Sequence, residues 1–393
     1  MSSQARSRVR ARLIAAVLLV FGAAFTAAAQ KTNLPRSRIL EQGIQLSRDA
    51  ATGELRTNSP AESDAKSTGI TPVIRSRVAL VEVQCTVTAP DGTRVRGLTR
   101  DDFQLWEDGD RQQIASFDAA MTPASIVLVI DASPSIYREL GDMRGIAQSL
   151  EKSLQPEDEI AAVAFADKTH LLMPFSRDRS LLNKALTSPE LAAVADSSES
   201  FIYQATYLSA VRLLSGRAGR KAIVLLTDGQ DSELGLSWDP ASMLPRTPSD
   251  NRLTFQDVAR GIASRGIELY VISTEPRPRA MTDDWLSSHR AQPLLTAAAR
   301  NSGIALYTLY LAELVRQTGG ELYFLREIGS LAEIYHTIAL RLEAEYTLGY
   351  YPSAGTEKPG WRELKLKLRE REGVPAGSEM NYRSAYYVPA LSP

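Results

Sequence analysis

The sequence predicts an α/β fold: a doubly wound, mostly parallel sheet joined to a small all-β domain that the flanking segments build together. Three observations predict it. Ile126-Val127-Leu128-Val129-Ile130 and Ala222-Ile223-Val224-Leu225-Leu226 are unbroken apolar runs, the pattern of strands buried on both faces of a parallel sheet. Between residues 120 and 343 such runs alternate with helical periodicity, which calls for right-handed crossovers in an open sheet. On either side, residues 76–119 and 344–388 alternate apolar and polar positions, with too few strands each to bury two faces alone.

The elements follow in chain order. Arg6, Arg8, Arg10 and Arg12, then the apolar stretch Leu13 to Phe25, then Ala27-Ala28-Ala29, read as a secretory leader over residues 1–29, cleaved before Gln30. The competing reading, an uncleaved anchor, meets the short limit for a membrane span, and no later segment is apolar for long enough. Residues 30–75 are polar, with Pro35, Pro60 and Pro72, and are expected to be a disordered linker. In 76–119, Val81, Val83, Cys85 and Val87 alternate with Glu82, Gln84, Thr86 and Thr88, and Asp108-Gly109 marks the tip of a hairpin. Over 120–343 the strand at 126–130 precedes a helix bearing Leu140, Met143, Ala147, Leu150 and Leu154. Ile160–Phe165 is a strand, a helix lies near Tyr203–Leu214, and Ala222–Leu226 is the second central strand. Phe255, Val258, Ala259 and Ile262 mark a helix before the strand Ile267–Ile272. Ser330 with Glu333 caps a last helix. Leu234–Asn251 and Pro276–Arg300 read as excursions, and 300–310 as either an extra strand or the start of a helix running to Gln317. In 344–388, Tyr346–Tyr351, Leu364–Arg369 and Tyr382–Val388 are strands.

Composition narrows the chemistry. Lys and Arg number 45 against 46 Asp and Glu, a net charge of -1 that argues against a nucleic-acid partner. One cysteine, Cys85, excludes a disulfide framework, a cysteine-based zinc site and a CxxC redox pair, and it reads as a small strand hydrophobe. The three histidines include no HExxH, and His170, in an apolar stretch, reads as structural.

The candidate site lies where ligands bind in open sheets, just past the carboxyl ends of strands. The first central strand runs into Asp131-Ala132-Ser133-Pro134-Ser135 and the second into Thr227-Asp228-Gly229. Either loop alone is commonly an ordinary turn with self-capping side chains. Together they offer two carboxylates and several hydroxyls at one rim, the hard oxygen donors that suit a divalent cation. Two carboxylates leave such an ion electrophilic, with a position open for an acidic side chain of a partner.

DASPS followed by LLTDGQD resembles the metal-ion-dependent adhesion site of von Willebrand factor A domains. VALVEVQCTVTAPDG and the residues after it, TGGELYFL, and AEYTLGYYP resemble a secreted bacterial subfamily, the VWFA-related domain of Acidobacteria type, over about 76–388. The resemblance implies a Rossmann-like domain holding one Mg²⁺ or Mn²⁺ per chain. Asp131, Ser133 and Ser135 match its first loop and Asp228 its last acid. Ser200 takes the place of a threonine in the middle loop, whose two glycines are missing here. Asp231 is either a support to that set or a solvated loop acid.

The implied function is a secreted or periplasmic, non-catalytic protein that binds a protein partner through a metal-bridged acidic side chain. Two other readings stand beside it. One is a structural envelope protein with a vestigial metal site, kept open by the missing glycines. The other is a metal-dependent hydrolase, disfavoured because Ser133 stands where an aspartyl phosphatase needs its second acid and because G-x-S-x-G is absent.

Overall fold

The computed structural model describes residues 37–42, 45–48, 55–58, 80–91, 93–119, 123–134, 136, 145, 149–150, 152–195, 199–232, 253–288, 294–295, 302–325, 331–342, 346–353, 360–369 and 373–388. The leader 1–29, the excursion at 234–251, Ser135, Ser198, Ser330 and most of the helix expected after Ser135 lie outside these residues.

Seven strands form the larger sheet. Its centre is parallel: β8 (Ala124–Asp131) lies between β9 (Glu159–Phe165) and β11 (Arg220–Thr227), and β12 (Ile267–Ser273) and β13 (Leu322–Phe324) extend it on the β11 side. Every residue of β8 is buried. That is why its apolar run does not alternate: both faces are covered, and each buried Val, Leu or Ile contributes roughly 1.5–3 kcal/mol relative to exposure. On the other side β10 (Thr169–Ser176) joins β9 antiparallel, and β1 (Arg38–Ile39) closes that edge antiparallel to β10.

Helices cover the sheet. α1 (Ser180–Leu186) and α2 (Pro189–Val194) pack on β9 and β10. α3 (Ile202–Leu208) continues into a wider π turn, Ser209–Leu214. With α4 (Phe255–Ala263) and α6 (Leu306–Thr318), α3 shares one apolar core with Val127, Val129, Val163, Ile223 and Leu225. α5 (Asp283–Ser288) is a short helix between β12 and α6, and α7 (Leu331–Leu342) buries Ile334, Tyr335, Ile338 and Leu342. The ambiguous segment 300–310 resolves as helix from Leu306, ended by Gly319 at φ 83° in the left-handed C-terminal position. Among the described residues no helix is long and apolar enough to cross a membrane.

The flanking segments assemble as expected into an antiparallel sandwich. One sheet runs β16 (Glu379–Tyr382), β4 (Val81–Thr88), β14 (Tyr346–Tyr350), β7 (Ile114–Asp118); the other runs β17 (Ala385–Val388), β15 (Gly360–Leu368), β5 (Phe103–Glu107), β6 (Asp110–Gln112). The two inner faces share one core that includes Val83, Cys85, Leu105, Leu348 and Leu366. The β5–β6 hairpin turns at Asp108 (φ 49°) and Gly109 (φ 90°), the two left-handed positions of a type I′ turn. Buried Glu107 ties the sheets together: the hydroxyls of Tyr350 and Tyr386 both donate to its Oε2 (2.9 Å from Tyr386), and Arg362 stands 3.8 Å from its Oε1.

Three expectations need correction. The disordered linker does not describe all of 30–75, because β1, Leu40 (1% exposed) and the hairpin β2 (Gln45–Arg48) with β3 (Leu55–Asn58) are ordered. Polar composition hid a strap that is held by pairing with β10 and by a two-pronged Arg48–Asp257 ion pair, 2.8 and 3.2 Å. The strand expected over Tyr382–Val388 is two strands. The chain turns at Arg383-Ser384, so β16 and β17 belong to different sheets. Residues 169–176, given no strand from the sequence, form β10.

Candidate functional site

Parallel register brings the two predicted loops together. Leu226 pairs with Ile130, so Thr227 and Asp131 end adjacent strands side by side. Thr227 Oγ1 donates to Asp131 Oδ2 at 2.8 Å. Ser200 arrives from a third element, the loop ahead of α3, and its Oγ donates to the same oxygen at 3.0 Å. The Ser133 amide donates to Asp131 Oδ1 at 2.9 Å, closing the tight turn that the D-x-S spacing favours. Asp228 sits one residue past Thr227, with its Oδ1 taking the Gln230 amide at 2.9 Å. Of the five predicted residues the structure therefore gathers Asp131, Ser133 and Ser200 in direct contact and places Asp228 at the same rim. Ser135 is outside the described residues.

All four described residues are buried, with Asp131 fully enclosed. That enclosure raises the Asp131 carboxyl above its usual range. The hydrogen bonds of Ser133 and Thr227 oppose the rise, and the neighbouring charge of Asp228 adds to it. The groups bonded to Asp131 are neutral, and the charge that acts on it is a second carboxylate. A desolvated anion with neutral partners and a like-charged neighbour is electrostatically incomplete, and a hard cation offsets both terms. Donor set and charge thus fit Mg²⁺ or Mn²⁺. Among the described residues no three His, Cys, Asp or Glu side chains gather as a metal-binding group; the donors at this rim are two carboxylates and hydroxyls.

Further residues hold the loops. Ser232 and Ser200 exchange bonds: the Ser200 amide donates to Ser232 Oγ at 2.9 Å and the Ser232 amide to the Ser200 carbonyl at 2.8 Å. Thr227 Oγ1 also accepts the Gly229 amide at 3.0 Å. Gly229 has φ 89°, and a Cβ there would lie 2.8 Å from Leu311 Cδ1 and 3.2 Å from Tyr307 Cδ2, so α6 packs directly against this loop. Asp231 is not a merely solvated acid, since its Oδ2 accepts the Tyr203 amide at 3.3 Å in the first turn of α3. Tyr203, Phe255 and Tyr310 form an aromatic cluster in the core shared by α3, α4 and α6. Thr227, the last residue of β11, and Ser232 were given no role from the sequence; register and loop pairing reveal it.

Cys85 is buried in the sandwich core, where burial pushes its thiol far above the usual range. His170 lies on β10 opposite Ile39, its imidazole held below the usual value by burial.

The fold and this rim define an open-sheet α/β module whose candidate site loops follow the carboxyl ends of its central strands. Residues 125–303 match the family model of the von Willebrand factor type A domain, and the chain carries that domain. None of the curated proteins matches the chain. Solved structures resemble it at low identity. An aerotolerance-related membrane protein from Bacteroides fragilis is 17% identical over 56% of this chain and 99% of its own, with a TM-score of 0.38. The vWF domain of the type V pili tip protein Mfa5 from Porphyromonas gingivalis is 12% identical over 56% of this chain and 95% of its own, with a TM-score of 0.35. A von Willebrand factor type A protein from Catenulispora acidiphila is 11% identical over 80% of this chain and 73% of its own, with a TM-score of 0.38.

Proposed function

We propose that this chain is a non-catalytic binding protein, secreted or periplasmic after loss of residues 1–29, that captures a protein partner through one divalent metal at the sheet rim. The observation that carries the reading is Asp131: a fully buried carboxylate, bonded by hydroxyls from two other loops and standing beside Asp228. Asp131, Ser133, Ser135, Ser200 and Asp228 would hold the ion. The bound ion supplies an electrophilic position that a partner's Asp or Glu completes. The chain's own residues prepare it: Thr227 and Ser200 orient Asp131, while Ser232 fixes the Ser200 backbone. With only two carboxylates to hold it, the ion stays under-neutralised, which favours an added acidic ligand.

Calorimetry on the folded full chain tests this. One weak Mg²⁺ or Mn²⁺ site is expected. A folded sample that takes up neither ion would falsify a working site and favour the structural reading with a vestigial site, which the missing glycines before Ser200 support. Capture of envelope partners lost on adding EDTA is the expected second result.

A further inference from the structure

The sandwich carries a groove that the metal site does not use. It is about 500 Å³ in volume and lies where the turn before β5, the strand β6 and the end of β15 meet. Among the described residues Arg100, Arg111 and Arg369 line it, against one carboxylate, Asp101. All three arginines are exposed, and their guanidinium groups make no hydrogen bond or ion pair among the described residues. Gln104 and Gln113 add amide groups, and Phe103 and Ile114 form an apolar floor. Among the described residues β6 is the outer strand of its sheet and pairs on one side only, with β5.

We propose that this groove is a second binding site, for an extended, carboxylate-rich polypeptide segment of a partner. Three arginines lining one concavity can recognise carboxylates in pairs of hydrogen bonds. An outer strand beside them offers main-chain groups to an extended segment, and side-chain amides suit a peptide backbone. The observations favour a peptide over a nucleic acid. Among the described residues Phe103 is the one aromatic side chain lining the groove, and at 3% exposure it offers no stacking surface; the chain's net charge is -1. They favour it over a lipid surface because the arginines face a concavity rather than a plane. The site is independent of the metal.

The test is fluorescence anisotropy with the full chain and a short labelled peptide alternating Glu and Thr, in EDTA. Binding is expected, weakening as salt is added, and absent for the same peptide with Lys in place of Glu. Arg111→Gln with Arg369→Gln should weaken binding about tenfold or more, with an unchanged circular dichroism spectrum because both side chains are exposed. Asp131→Asn should leave peptide binding untouched. The proposal is overturned if the Glu peptide does not bind, if the double variant binds it equally well, or if inorganic polyphosphate or phosphatidylglycerol vesicles bind through these arginines while the peptide does not.

Discussion

Asp131 is held in an environment that disfavours its charge, which makes it informative to neutralise. Asp131→Asn keeps the shape and removes the anion. Metal binding should vanish in calorimetry, while the melting temperature in EDTA should stay the same or rise, because a buried charge with neutral partners is replaced by a neutral amide. A large drop in melting temperature in EDTA would show that the carboxylate is structural. Ser200 separates ligand from scaffold. Ser200→Ala should weaken metal-dependent partner binding, and Ser200→Thr should keep or strengthen it; equal binding by both would remove Ser200 from the ligand set. At this scale the sequence was legible where chemistry coincided with position. Asp131 and Asp228 each directly follow a long apolar run, and that placement exposed them. Thr227 and Ser232 were not legible, because their work depends on the register of β8 against β11 and on a loop pairing with Ser200.

Elements transmit their packing to the rim. Gly229→Ala puts a Cβ into Leu311 of α6 at a left-handed backbone position. The strain should cost ~1–3 kcal/mol by chemical denaturation and should lower metal affinity as well, since the T-D-G loop must shift. A mutant with wild-type stability and affinity would mean that α6 yields freely. Asp257 anchors α4: it forms a capping box with Thr254 and receives Arg48 from the strap. Asp257→Ala should destabilise by about 3 kcal/mol, because a cap is lost and Arg48 is left partly buried without its partner. Arg48→Ala should cost less, since the box itself survives. Strands with a strong apolar signature, β8, β11 and β12, were legible. β10 was not: THLLMPFS has no period-two pattern and contains Pro174, and it is a strand because β9 and β1 pair with it. The bend at Arg383-Ser384 was hidden because no Gly or Pro marks it and tyrosines continue through it.

On the scale of the whole molecule, the sandwich depends on both flanking segments. β14 is the inner strand between β4 and β7, and the Tyr346 hydroxyl donates to the Val95 carbonyl, 251 residues earlier, at 2.8 Å. A chain ending before Tyr346 should leave β4 and β7 apart with their apolar faces exposed. Limited proteolysis should then cut within 81–118 while the α/β region resists; protection of 81–118 in the truncated chain would contradict this. The partnership of the two segments was legible because neither had enough strands for two layers. Which strand pairs with which was not, since alternating patterns name faces and not neighbours. The Tyr346–Val95 contact also has a consequence in time. Strands β4 to β7 are synthesised long before the strand that completes them, so they wait through the making of the entire α/β region. Closing so wide a loop is slow, and during that delay the nascent chain presents incomplete sheets to whatever surrounds it.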